Sequence, residues 1–213
     1  MERYFQIVKV NWKFNLLPHV LIALFICLAA PFFMGVKNLN PMQTAQVLEL
    51  YMVLLGIILC VPLFIPDEDK SIRDLLESKK QSMVSVHIIR IIEGLLILAL
   101  FIGAFLVYLK LQQCNFTFPT YFYGTMAGCI FLGGIGILVY SIFDYLSVAY
   151  MVPILYYILC YGSGKTYLGK FYLFSMMRGS MEEKKYLLIA GLLMIVLGIL
   201  LRNIRVFRGR IKY

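Results

Sequence analysis

Long apolar runs separated by short charged segments dominate the pattern along the chain. Six of these runs approach or exceed the about 20 residues that a helix needs to cross a bilayer. They cover residues 16–36, 47–65, 86–109, 121–142, 145–161 and 186–201. None alternates strictly between apolar and polar residues, as the strands of a membrane barrel would. The pattern therefore predicts an all-α membrane protein with six transmembrane helices in a single domain, 1–213.

The composition excludes most soluble classes of protein. Of the 213 residues, 62% are hydrophobic and only 15% are charged, whereas soluble domains are about 45–50% apolar and about 25% charged. A chain of this size cannot bury so large an apolar surplus in its own core. The surplus must face lipid, which excludes a soluble enzyme, a nucleic-acid-binding domain and a disordered chain.

The distribution of cations predicts the orientation. The net charge is +9, and most Lys and Arg residues fall at the two termini and between the second and third runs. Cytoplasmic loops carry an excess of Lys and Arg, so we expect both termini on the cytoplasmic side of a bacterial membrane. The cation-rich segment 162–185 is the exception. Its middle, residues 171–177, is apolar and aromatic and predicts a re-entrant segment that dips back into the outer face of the membrane.

Two amphipathic segments lie outside the predicted spans. Residues 1–14 predict a helix on the cytoplasmic surface, with a plain extension of the first span as the alternative. In 71–79 an apolar face formed by Ile72, Leu75 and Leu76 predicts a short cytoplasmic helix. Such a helix either inserts into a groove of a soluble partner or lies on lipid.

No catalytic or metal-binding constellation appears. Gly162-Ser-Gly-Lys-Thr166 looks like the end of a phosphate loop, but Leu159 stands where the first glycine is needed. We therefore predict a flexible linker there and no ATPase activity in this chain. No His, Cys or carboxylate residues have metal-ligand spacing.

Three ionisable residues fall within or at the ends of the predicted spans. Arg90 and Glu93 are one turn apart, which predicts an intramembrane ion pair. Glu49 is predicted near the outer end of the second span, where water reaches it, and is a candidate for lining a translocation path. In the fourth run, Gly124 and Gly128 form a GxxxG pattern and are followed by Gly133, Gly134 and Gly136. These glycines predict a close helix contact.

The layout resembles the permease subunit of type-2 ABC transporters, the six-helix exporter family. Members of that family read Glu, then Gly-Thr-x-Glu-Leu-Leu, then Pro-x-Ser after the second span. This chain has Glu68, then the run 71–76 (Ser-Ile-Arg-Asp-Leu-Leu), then 80–82 (Lys-Gln-Ser). Ser71 replaces the usual Gly and Lys80 the usual Pro.

The resemblance implies a function and partners. Two permeases, identical or paralogous, form the path, and each docks a soluble ATPase that binds ATP and Mg; the chain itself needs no cofactor. The docking residues implied are Glu68, Ser71, Ile72, Arg73, Asp74, Leu75 and Leu76. The alternative is a stand-alone transporter or channel without an ATPase. The scarcity of charges deep in the spans favours an apolar or amphipathic cargo.

Overall fold

The computed structural model describes residues 11–67 and 83–210, and all regular structure within these ranges is helical. Seven α-helices lie within the described residues: α1 (Leu17–Met34), α2 (Pro41–Leu50), α3 (Leu55–Cys60), α4 (Met83–Leu111), α5 (Phe118–Phe143), α6 (Leu146–Leu168) and α7 (Glu182–Arg210). Shorter turns connect them, namely a π-helical turn at Trp12–Leu16 and 3-10 turns at Met52–Leu54, Val61–Asp67, Gly169–Phe171 and Met176–Arg178. The predicted helix 71–79 and residues 1–10 of the predicted surface helix lie outside the described residues.

Five helices in the described ranges are long and apolar enough to cross a membrane. They are Leu17–Met34, Pro41–Pro66, Val84–Leu111, Phe118–Phe143 and Glu182–Asn203. The remaining predicted span corresponds to a shorter apolar helix, Leu146–Gly162. The chain therefore has the helices of a membrane protein, as the hydropathy pattern predicts.

The second apolar helix begins earlier than the sequence pattern predicts. Asn40 accepts a hydrogen bond from the Gln43 backbone N–H at 2.9 Å, and the Gln43 side chain accepts one from the Asn40 N–H at 3.1 Å. This capping box, with Pro41 at the first helical position, starts the helix six residues before Val47. Glu49 consequently lies within the helical run rather than near its start.

The predicted linker at 162–166 is wrong. Helix α6 continues through these residues to Leu168 and ends at Gly169, which has a φ of +48°. A glycine adopts this backbone conformation without the steric penalty of a Cβ. The segment is therefore the last part of a helix.

Successive long helices run in opposite directions, so the bundle has two ends. At one end, which we call the Glu49 end, the Asn38 N–H donates to the Gln112 carbonyl at 3.1 Å and the Tyr121 hydroxyl to the Pro41 carbonyl at 3.0 Å. At the other, the Phe64 end, residues 11–16 meet 61–67 and the start of α4. Both described termini lie towards the Phe64 end.

Helix α5 forms the centre of the bundle, and 78% of its apolar window is buried. A Cβ added at Gly134 would lie 2.6 Å from the Gly191 carbonyl oxygen of α7, so only glycine allows the two backbones to come this close. The close approaches predicted at Gly124 and Gly128 also occur, but against Met176 and Val53 in 3-10 turns. The predicted glycines Gly133 and Gly134 make the helix-to-helix contacts, against the backbones of α3 and α7.

Helix α1 is the least covered of the long helices, with 11% of its window buried. Ala23 and Ala30 face the bundle, while Leu21, Phe25 and Phe32 are exposed. In a membrane protein, such a face contacts lipid.

We expect Gly134→Ala to destabilise the bundle by about 1–3 kcal/mol, because its methyl group overlaps the backbone of α7. Gly103→Ala in α4 is the matched control, since its nearest neighbour to an added Cβ is 4.0 Å away and alanine favours a helix. The thermal unfolding midpoint in detergent measures both. Equal midpoints for the two variants would contradict the close contact.

Candidate functional site

A buried ion pair lies at the Glu49 end of the bundle. The Lys184 Nζ at the start of α7 is 2.6 Å from the Glu49 Oε1 of α2, and both side chains are 0% exposed. Two fully buried charges are costly unless their remaining hydrogen-bonding groups also find partners. Here they do, and both sets of partners come from the segment before α7.

That segment, residues 172–177, is inserted against the helices, and we call it the inserted segment. Its Met176 and Met177 backbone N–H groups donate to the two Glu49 carboxylate oxygens at 3.0 and 2.9 Å. Its Leu173 carbonyl accepts from the Lys184 ammonium at 2.6 Å. The Ser175 hydroxyl is also buried but has no partner within the described chain. Glu49 and Lys184 thus both hydrogen-bond the backbone of this segment, Glu49 at Met176 and Met177 and Lys184 at Leu173.

Aromatic side chains hold the inserted segment against α6. The Phe174 ring makes edge contacts with Tyr157 and Tyr161, at centroid distances of 5.2 and 6.2 Å. The Tyr157 hydroxyl reaches across to the Leu50 carbonyl at 2.8 Å, which joins α6 to α2 beside the ion pair. The apolar and aromatic side chains that distinguish residues 171–177 in the sequence therefore pack against the bundle.

A cation covers the start of the inserted segment. The Arg178 guanidinium lies 5.0 Å from the centroid of the Tyr172 ring, a distance at which the ring quadrupole attracts a cation. Burial raises the pKa of the Tyr172 phenol, while the nearby Arg178 acts in the opposite direction. The cation at 178 thus has a structural partner.

The accessibility expected of Glu49 is wrong. Its carboxylate is sealed by Lys184 and by the inserted segment, so water does not reach it in this arrangement. A role in a translocation path stays a prediction. The sequence does not show which lysine pairs with Glu49, because Lys184 and Lys185 are adjacent and of the same residue type. Only the fold buries one and exposes the other.

A second cluster of polar and aromatic groups lies at the Phe64 end. Phe64 stacks on Tyr140 with centroids 5.4 Å apart and contacts the His87 ring at 5.2 Å. The Arg202 guanidinium lies 4.7 Å from the Tyr140 centroid and pairs with the Asp144 carboxylate at 2.9 Å. Phe64 is thereby enclosed by residues of α4, α5 and α7.

Arg90 and Glu93 belong to this second cluster, and both are buried. Arg90 donates to the Leu63 carbonyl at 3.3 Å, and the Glu93 Oε2 accepts from the Asn11 amide at 2.8 Å. These bonds join α4 to the Val61–Asp67 turn and to the N-terminal segment. The ion pair between the two residues stays a prediction. The sequence pattern did not predict these contacts of Asn11 or those of Asn15, although two asparagines spaced i,i+4 stand beside the first apolar run.

The predicted docking residues Glu68, Ser71, Ile72, Arg73, Asp74, Leu75 and Leu76 all lie outside the described residues. What the structure describes are the two segments that flank them, Val61–Asp67 and the start of α4. Within 11–67 and 83–210, no group of three His, Cys, Asp or Glu side chains is arranged to hold a metal ion.

Comparison of the chain with protein-family models, with curated proteins and with solved structures gives no match.

We expect Lys184→Met to destabilise the protein by about 3–5 kcal/mol, because it leaves the buried Glu49 carboxylate without a counter-charge. Thermal unfolding in detergent measures the loss. The matched control is Lys185→Met at the exposed neighbouring position, for which we expect a change within about 0.5 kcal/mol.

The double variant Glu49→Gln/Lys184→Met should recover part of the lost stability, since no unpaired charge then remains buried. If Lys184→Met and Lys185→Met unfold at the same temperature, the ion pair does not stabilise the bundle.

Proposed function

We propose that the chain is the transmembrane permease subunit of an ABC exporter, driven by a separate soluble ATPase that docks through the predicted helix 71–79 within the connection 68–82. The observation that carries the proposal is the anchoring of both flanks of that polar connection. Leu63 and Phe64 before it, and His87 and Arg90 after it, are buried in the bundle. A force passed on to these flanks therefore reaches packed helices directly.

The Glu49 end supports the same proposal. Exporters of the family that the sequence resembles place a re-entrant region before their last helix. In this chain the inserted segment precedes α7 and is packed on α2, α5 and α6. We propose that it is that re-entrant region, on the outer side of the membrane. The proposal also takes α6 as a sixth span, whose short apolar part is accommodated by local thinning of the bilayer.

The proposed mechanism assigns each part a role. Nucleotide-driven closure of two ATPase subunits pushes on Ile72, Leu75 and Leu76, and polar contacts from Glu68, Arg73 and Asp74 fix the register of docking. The push moves the helices of two permease copies, identical or paralogous, between inward-facing and outward-facing states. An apolar or amphipathic cargo passes between them. The Lys and Arg bias supports cytoplasmic termini, which places 68–82 on the side where ATP is found.

We expect Leu75→Asp to abolish docking, because it places a carboxylate on the apolar face that enters the groove of the ATPase. Gln81→Asp, two residues beyond the end of the predicted helix 71–79, is the matched control. The measurement is the amount of ATPase that copurifies with the tagged chain in mild detergent from its native host. We expect at least a ten-fold loss for Leu75→Asp and wild-type recovery for Gln81→Asp, with equal amounts of both variants in the membrane.

Two outcomes would overturn the proposal. A wild-type chain that purifies without any protein carrying a phosphate loop would favour the stand-alone transporter. Undiminished ATPase recovery with Leu75→Asp would show that the subunits meet at another surface.

A further inference from the structure

Three consecutive backbone carbonyls at the Phe64 end each accept a hydrogen bond from a different part of the chain. The Asn15 amide donates to the Pro62 carbonyl at 2.9 Å, and the Arg90 guanidinium donates to the Leu63 carbonyl at 3.3 Å. The Tyr140 hydroxyl donates to the Phe64 carbonyl at 3.2 Å. The donors belong to the N-terminal segment, to α4 and to α5, and all three are buried.

The sequence explains why one of these carbonyls, that of Leu63, is available. The turn Val61–Asp67 is a 3-10 helix, and Pro66 has no backbone N–H, so it cannot donate to the Leu63 carbonyl three residues before it. A buried carbonyl without a partner costs free energy in an apolar bundle. The Arg90 guanidinium replaces the missing donor at Leu63, and the Asn15 and Tyr140 side chains add bonds at the neighbouring carbonyls.

The turn that these hydrogen bonds hold lies next to the proposed docking connection. The turn Val61–Asp67 ends directly before the proposed docking connection 68–82, and α4 begins directly after that connection, at Met83. The Phe64 ring lies in the same contact, stacked on Tyr140 under the Arg202 guanidinium. Any displacement of residue 67 is therefore shared among several helices at once.

We propose that Asn15, Arg90 and Tyr140 are positioning residues that distribute the movement of residues 68–82 to the N-terminal segment, α4 and α5. We call these three hydrogen bonds the carbonyl relay. This inference rests on the proposed function, because it needs an ATPase to displace the connection. It goes further in naming the bonds through which the displacement reaches each helix, and it predicts that single bonds can be removed without loss of docking.

Tyr140→Phe is the most conservative test. It removes one hydroxyl and keeps the ring between Phe64 and Arg202. Tyr121→Phe is the matched control, because that hydroxyl also donates from α5 to a backbone carbonyl, that of Pro41, at the opposite end of the bundle. Asn15→Leu tests the bond to the N-terminal segment.

The native tryptophan reports on that segment. Trp12 is the only tryptophan in the chain, and it lies one turn before Asn15 in the same helical segment. We would purify the complex of the tagged chain with its ATPase in lipid nanodiscs and add MgATP with vanadate. The Trp12 response is the part of the nucleotide-dependent fluorescence change that Trp12→Phe abolishes.

We expect all variants to retain the ATPase and to keep the wild-type unfolding midpoint within a few degrees. Asn15→Leu should reduce the Trp12 response at least three-fold. Tyr140→Phe should reduce the stimulation of ATP hydrolysis by the permease at least five-fold, while Tyr121→Phe leaves both quantities unchanged. If these residues only stabilised the fold, their replacement would lower the unfolding midpoint and leave the stimulation of ATP hydrolysis in the folded complex unchanged.

The failures are distinguishable. A wild-type chain that holds no ATPase overturns the proposed function and the carbonyl relay with it. A wild-type complex in which Tyr140→Phe and Asn15→Leu respond like Tyr121→Phe overturns the relay alone. If Asn15→Leu does not assemble, Tyr140→Phe decides.

Discussion

Polar groups inside an apolar bundle must find partners within the chain, because neither lipid nor packed aliphatic side chains can hydrogen-bond them. This constraint organises both ends of the structure. At the Glu49 end it draws the inserted segment inward, because Glu49 and Lys184 need two backbone donors and a carbonyl besides each other. At the Phe64 end it binds side chains from several helices to a turn whose own proline withholds a donor.

Between the two ends, close backbone contact replaces polar attachment. Gly134 of α5 meets Gly191 of α7 with no room for a methyl group, so α5 stays in the centre, surrounded by neighbours. The contrast with α1, which is mostly uncovered, divides the bundle into a packed interior and a lipid-facing periphery. The polar clusters lie at the two ends of the packed interior.

The proposed exporter joins these features in one mechanism. In this proposal, a push on 68–82 would enter at the Phe64 end through the carbonyl relay and would travel along packed helices to the end where the inserted segment is held by a buried ion pair. Rigid attachment at the entry point is what a coupled machine needs. The same bundle without such attachment would let the connection move while the helices stayed in place.

The sequence by itself determined the all-helical membrane class, because surplus apolar runs of span length have few other solutions. It also singled out the inserted segment, whose aromatic composition was out of place among cations. It did not pair Glu49 with Lys184 or join Asn15, Arg90 and Tyr140 to one turn, because these contacts bridge segments far apart in the chain and hydropathy periodicity carries no information about partners. Only tertiary packing decided which of Lys184 and Lys185 is buried, and which helix backbone each glycine of α5 meets.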